Sequence, residues 1–374
     1  MKIADKLEVS LGGIKVGTLV PYKRNLTAFE YDSRWIAEGF PISPFSLPLT
    51  PGVKIAKPDP HEGTFGVFAG SLPDGWGRLL MDRMLRKEGI HPEEADAFFR
   101  LSVIGASGLG ALEYRPAYTI RPPVEQANLD ALAEACRGIL QSDTTENLDS
   151  LYALGGSSGG ARPKVMMKVD NEDWIIKFPS SNDAENIGEM EYEYNLCASE
   201  CGIEIPEIRL FHSNACRGYF GCKRFDRVCD SQKIKKIHMA SVSALLEITH
   251  RIPSLDYTSL MALTWQLTKK SDELEKLFRL MCFNIFSHNR DDHSNNFSYL
   301  CENGVWRLSP AYDLTYSNSI GGEHATTVAG EGKNPGLDNI LQVAKKAGIK
   351  ESKARDISNY IKETVNKRLG RYLQ

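Results

Sequence analysis

Residues 288–296 read HNRDDHSNN and lie between the apolar run LFRLMCFNIF and the strand-like FSYL. A polar cluster between apolar segments costs solvation unless its groups are used. Three uses compete. His288, Asp291, Asp292 and His293 would be metal ligands if the segment held zinc, but closed sites draw ligands from several segments and no HExxH pair is present. A solvated turn is the second use. The third takes the spacing of Asp291 and Asn296, with four residues between them, as the working feature. Phosphoryl transfer needs a carboxylate that accepts the acceptor hydroxyl's proton and an oxygen ligand that holds magnesium on the phosphates. A five-residue step lets one loop supply both.

The D-x4-N step is common by chance, so the test is what accompanies it. The protein-kinase catalytic loop has Arg before its Asp, as Asn289-Arg290-Asp291 does here. A second magnesium ligand belongs after the next hairpin, where WRLSPAYDL supplies Asp313. A strand lysine belongs on the α- and β-phosphates, and Lys177 in WIIKFP has apolar neighbours to bury its stem. A glycine-rich loop belongs before it. LGGSSGGARPK offers Gly155, Gly156, Gly159 and Gly160, with Ser158 between them and Lys164 at the end, to cradle phosphates with backbone N–H groups. A helical Glu belongs after it, and Glu189, Glu191 and Glu193 are all candidates. Each group alone has an ordinary reading as a turn or strand-edge residue. Their joint order favours a Mg-ATP site.

The elements that must position these groups are legible. LEVSL and KVGTLV alternate around Gly12-Gly13 as a β-hairpin, and AFEYDSRWI adds a third strand. LPDGWGRLLMDRMLRKEG reads as a helix with Asp74 as N-cap and Gly89 after its last turn. LSVIGASGLGALEYRP carries a Gly-rich turn before a short strand, and RPP at 121–123 is a boundary. VMMKV and WIIKFP form a hairpin across DNED. Ile187, Met190, Tyr194, Cys197 and Cys201 make a stripe on a helix over 184–201, and after about 230 the pattern is mainly helical.

Bulk composition sets the class. The 374 residues are 42% apolar and 25% charged, with net charge −3, which suits a multi-domain globular protein and argues against an intrinsic nucleic-acid binder. No run approaches the roughly 20 apolar residues of a membrane span, and MKIADKLEVSLGG lacks a signal peptide's apolar stretch, so a cytoplasmic location is expected. The eight cysteines, including Cys197 and Cys201 at i and i+4, read as thiols without metal.

LPDGWGRLL, IGASGLGAL, IIKFP, EYEYNLCASECGIEIP, KRFDR, DDHSNNFSYL and WRLSPAYDL together resemble the HipA family, the bacterial serine/threonine kinase toxins of toxin–antitoxin pairs. The resemblance implies an α+β, protein-kinase-like bilobed fold with a mixed N-lobe, a mainly helical C-lobe and an N-terminal β-rich subdomain. It divides the chain at 1–121, 122–227 and 228–374. It implies Asp291 as catalytic base, Asn296 and Asp313 on magnesium, Lys177 on the phosphates and Glu191 as the lysine's partner. Arg224 and Phe225 would lie near the adenine, and His293 would shape the catalytic loop. It further implies autophosphorylation of Ser157, with Ser158 as rival, as an off-switch. A helix-turn-helix antitoxin would be the partner, DNA would be met only through it, and the substrate would be a protein such as an aminoacyl-tRNA synthetase. GGARPK departs from the family's commoner loop at Arg162 and Pro163, and Asn295 stands where a Lys is usual. A small-molecule phosphotransferase or a non-catalytic partner in a repressor complex are the alternatives.

Overall fold

The computed structural model describes residues 4–373 except 24, 119–127, 142–145, 182 and 231–232. The boundary expected at 121–123 lies outside the described residues. The chain divides into two compact units: Met1–Gly188, Leu210–Ile248 and Cys301–Gly304 form the first, and Glu189–Arg209, Thr249–Leu300 and Val305–Gln374 the second.

In the first unit, β1 (Leu7–Leu11), β2 (Ile14–Tyr22), β3 (Leu26–Tyr31), β4 (Lys54–Ile55) and β5 (Leu112–Arg115) form an antiparallel sheet in the order β4-β3-β2-β1-β5. Gly12 and Gly13 have φ of +58° and +81°, the two left-handed positions a type I′ hairpin turn requires. Alternation, shifted by one residue where the β1–β2 register slips between Val9 and Ser10, puts Leu7, Val9, Val16, Leu19 and Phe29 in one buried cluster, packed with Phe68, Leu101 and Tyr114. Helices α1 (Ser33–Glu38), α2 (Gly66–Ala69), α3 (Gly75–Lys87) and α4 (Ala97–Ile104) separate β3 from β5. LSVI therefore closes α4, and the Gly-rich turn follows it.

A second sheet follows helices α5 (Leu129–Gln141) and α6 (Leu148–Gly155). Its strands are β6 (Lys164–Val169), β7 (Glu172–Lys177), β8 (Ile208–Phe211) and β9 (Tyr219–Lys223), in the order β6-β7-β9-β8. Asp170 and Asn171, both at positive φ, close the β6–β7 hairpin. Helix α3 serves two cores because its apolar residues form two adjacent i, i+4 rows. Trp76, Leu80 and Met84 pack with Cys136, Ile139, Leu151, Val165 and Trp174, while Met81 and Leu85 pack with Phe99 and Val103.

The chain beyond 230 is not yet helical. β10 (Arg227–Asp230) pairs antiparallel with β11 (Lys233–Lys236), and β12 (His238–Ser241) leads into α8 (Val242–Leu246). KIKKIHMAS has too few apolar residues at three- and four-residue spacing to bury a helix face, so strand pairing decides its form.

The second unit opens within α7 (Ile187–Glu200), whose stripe residues Tyr194 and Cys197 are fully buried. It continues through β13 (Leu255–Asp256), α9 (Tyr257–Thr268), α10 (Ser271–Phe286), the first three residues of β14 (Ser298–Glu302), β15 (Val305–Leu308), β16 (Thr326–Thr327), α11 (Leu337–Lys346) and α12 (Glu351–Leu369). LFRLMCFNIF is the buried second half of α10 and FSYL begins β14, as the sequence predicts. The α+β class is likewise as expected.

Candidate active site

The polar loop starts where α10 ends. His288 takes φ +52° and turns the chain out of the helix. Asn289 turns back: its N–H donates to the Asn284 carbonyl at 3.0 Å and its Nδ2 to Asn284 Oδ1 at 3.0 Å. The D-x4-N step is closed by its own ends, because Asn296 Nδ2 donates to the Asp291 carbonyl at 2.7 Å. That bond uses the amide nitrogen, and Oδ1 is the end of the amide with acceptor character. Asn296 N–H donates to the His293 carbonyl at 2.8 Å, and Asn295 N–H donates to His293 Nδ1 at 3.2 Å. His293 Nε2 lies 3.8 Å from Asp291 Oδ1, so this ring braces the turn at both ends. Asp291 itself keeps 62% of its side chain exposed.

Asp292, which the sequence offers only as one member of a candidate metal cluster, is the opposite case. Its carboxylate is fully buried. Tyr257 donates its hydroxyl to Oδ2 at 2.9 Å, His324 Nδ1 lies 3.1 Å from the same oxygen, and Thr326 N–H donates to Oδ1 at 3.2 Å. Thr326 Oγ1 donates to the Asp292 carbonyl. Asn284 Nδ2 donates to the Tyr257 hydroxyl at 3.0 Å, joining the helix before the loop to the same network. Burial, then the Asp292 charge, pushes the Tyr257 hydroxyl well above its usual range, so it stays a donor. Asp292 thereby fixes the backbone from which Asp291 projects. Its partners lie 35, 32 and 34 residues away, which is why no local pattern announces it.

Asp313 sits at φ +54° in the segment after β15. Its neighbour Tyr312 donates its hydroxyl to the Asn295 carbonyl at 2.6 Å, and Ser298 Oγ lies 2.6 Å from the same hydroxyl. The residue before Asn296 is therefore tied to the residue before Asp313. One carboxylate and one amide oxygen are hard donors, and they suit a magnesium ion that takes its other ligands from phosphates and water. Among the described residues no cluster of three or more His, Cys, Asp or Glu could hold a metal ion, and Cys197 and Cys201 are buried free thiols. On α7, Glu191 is buried, while Glu193 accepts from Tyr372 at 2.7 Å and also from Arg371.

The first unit carries the other group of expected residues. The glycine-rich loop runs from the end of α6 to the start of β6. Gly155 and Gly156 are packed positions, since an added Cβ would meet the Lys164 carbonyl at 2.6 Å or the Tyr152 ring at 2.4 Å. Gly159 is open, with nothing within 4 Å, and Gly160 takes φ +82°. Ser157 and Ser158 are both buried, and Ser158 Oγ donates to the Gly155 carbonyl at 2.6 Å. Lys164 directs its ammonium at the Gly159 carbonyl, 2.6 Å away, and so braces the loop. Lys177 stands opposite Lys164 at the end of β7, with Nζ 5.5 Å from the Phe220 ring centroid. Pro163, which has no N–H to give, still accepts from Phe178 N–H at 2.8 Å. Arg162 pairs with Asp183 at 3.2 Å.

Arg224 is committed to structure. Its guanidinium forms a two-point contact with Asp226, 2.9 and 2.8 Å, and Arg227 reaches the same carboxylate at 2.8 Å. Burial works to raise Asp226, but the two guanidiniums hold it below the usual carboxylate range. Gly110 N–H also donates to Asp226 at 2.8 Å, and Arg227 donates to the Gly108 and Gly110 carbonyls. IGASGLGAL and KRFDR are thus one structural unit. Phe225, next to Arg224, is half-buried.

The fold is that of an α+β, protein-kinase-like protein. Residues 156–369 match the model of the HipA-like C-terminal domain, and residues 7–115 match that of the HipA N-terminal domain. The chain belongs to the HipA family. Its fold is that of HipA of Shewanella oneidensis MR-1, solved in complex with HipB and its operator DNA. The two share 18% identity with a TM-score of 0.73, over 98% of this chain and 90% of that one. "Putative kinase Y4mE" of Sinorhizobium fredii (strain NBRC 101917 / NGR234) is 24% identical over 341 residues, 82% of this chain and 76% of that protein. Among the described residues no helix is long and apolar enough to cross a membrane.

Proposed function

We propose that this chain is a protein serine/threonine kinase that uses Mg-ATP. The observation that carries the proposal is the closed Asp291–Asn296 turn, tied through Tyr312 to the segment bearing Asp313. Asp291 takes the proton from a substrate hydroxyl as that oxygen bonds to the γ-phosphorus of ATP. The bond from the γ-phosphorus to the ADP oxygen breaks in the same transfer. Asn296 and Asp313 would hold magnesium, and the ion would supply charge neutralisation at the phosphate oxygens. Lys177 meets the phosphates, with Glu191 as its partner, because Glu193 already serves Arg371 and Tyr372. Backbone N–H groups of Gly155 to Gly160 cradle the phosphates. Phosphate on Ser157 or Ser158 would bring about −1.5 to −2 charges into that cradle and switch the kinase off. The Shewanella complex supports a helix-turn-helix antitoxin as partner, with DNA met through it.

The test is peptide mass spectrometry after incubation with Mg-ATP, with wild type beside Asp291→Ala. Wild type is expected to gain one phosphate on Ser157 or Ser158 and the variant none. If phosphatase-treated wild type binds no ATP and neither modifies itself nor candidate proteins, the reading is wrong.

A further inference from the structure

We propose that the turn Asp74–Gly77 is a docking seat that holds the glycine-rich loop in register, and that Trp76 is its principal positioning residue. The effect on ATP rests on the kinase reading; the docking itself does not.

LPDGWGRLL looks at first like a helix start, with Asp74 as N-cap. Asp74 makes no side-chain cap bond to its own helix. Its Oδ1 instead accepts from Gly160 N–H at 3.2 Å, 86 residues away. Trp76 N–H donates to the Gly160 carbonyl at 2.9 Å, and the Trp76 indole N–H donates to the Lys164 carbonyl at 3.0 Å. Three bonds from one turn therefore grip the loop at Gly160 and at its end, Lys164. The approach is backbone to backbone and glycine makes it possible. A Cβ on Gly75 would lie 2.4 Å from the Gly160 carbonyl oxygen, and one on Gly77 would lie 2.2 Å from the Ser158 carbonyl oxygen. The loop's own ties, Ser158 to Gly155 and Lys164 to Gly159, are internal, and the outside contacts of Arg162 with Asp183 and of the Pro163 carbonyl with Phe178 N–H hold the stretch after Gly160. Donors that cradle phosphates act only when held before the ligand arrives, and this seat does the holding.

Gly77→Ala isolates the effect. Gly77 lies inside α3, where Ala is the better helix former, so the helix is retained while the new methyl displaces Ser158. Gly138→Ala is the matched control: it also lies inside a helix, and its Cβ would meet nothing within 4 Å. Trp76→Phe keeps an aromatic ring and removes one N–H. Amide hydrogen exchange over 156–163 and the KM and kcat for ATP are measured in all four proteins. In Gly77→Ala, loop exchange and KM are each expected to rise about tenfold and kcat to stay within about twofold, while the melting temperature falls but the protein stays folded at the assay temperature. Trp76→Phe should move both in the same direction by less, and Gly138→Ala neither. Wild-type loop exchange in folded Gly77→Ala overturns the seat, as does an equal rise in Gly138→Ala. Faster exchange with unchanged KM overturns its positioning role. Should Gly77→Ala fail to fold, Trp76→Phe decides on the same criteria. If the exchange pattern holds but no protein transfers phosphate, the seat stands and the kinase reading falls.

Discussion

Asp291 and Asp292 are adjacent in sequence and opposite in environment. One projects into solvent and the other is fully buried among Tyr257, His324 and Thr326. The D-x4-N spacing pointed to Asp291 and Asn296 because the step between them is local. Nothing local distinguished Asp292 from its neighbour, since its partners arrive from distant segments. The same holds for Asp74, whose sequence context reads as an N-cap and whose partner is Gly160. The contrast gives a stability prediction. Asp291→Asn should change unfolding free energy by less than about 0.5 kcal/mol, as exposed substitutions do, while Asp292→Ala should cost about 2–4 kcal/mol by leaving buried donors unpaired. Urea unfolding of the two variants compares them directly, and similar midpoints would show that the buried network does not anchor the loop.

Hairpins were the most legible elements, because two consecutive turn residues at positive φ leave little choice. Gly12-Gly13, Asp170-Asn171 and Asn303-Gly304 each supply such a pair. Helices with an apolar stripe, such as α7 and α10, were equally readable. The ribbon β10–β11 was not, because paired strands rather than a buried stripe define it. KRFDR carries a buried charge cluster whose partners come from both near and far in the chain: Arg224 and Arg227 share the buried Asp226, which also accepts from Gly110 N–H. Removing Asp226 would strand two buried guanidiniums. Asp226→Ala is therefore expected to cost about 3–5 kcal/mol, measured by denaturant unfolding, and a loss below about 1 kcal/mol would show that water reaches these arginines.

At the scale of the whole molecule, stability should follow pH through a histidine outside the candidate site. His238 on β12 is buried with Nε2 2.8 Å from the Ile42 carbonyl, and burial pushes its imidazole down to about 4, against the opposing effect of that bond. The unfolded chain, with its histidine near 6.5, takes up the proton first. The contribution is thus complete above about pH 6.5 and is lost as pH falls toward 4, on the order of 3 kcal/mol across the window. Melting temperature recorded from pH 7 to 4.5 should fall more steeply for wild type than for His238→Gln. Parallel curves would assign the acid loss to the carboxylates instead.

The first compact unit is not a continuous stretch of chain, and this bears on how the protein is made. Its N-terminal sheet is complete at Arg115, but the carboxylate that Gly110 grips belongs to Asp226. At about 5–20 residues per second, a ribosome leaves that sheet waiting on the order of ten seconds for its counterpart to emerge. Over that interval the nascent chain presents Gly108–Gly110 with their hydrogen bonds unmade. The stretch between the two halves of this contact is where pausing during translation, or a chaperone, would most change the yield of folded protein.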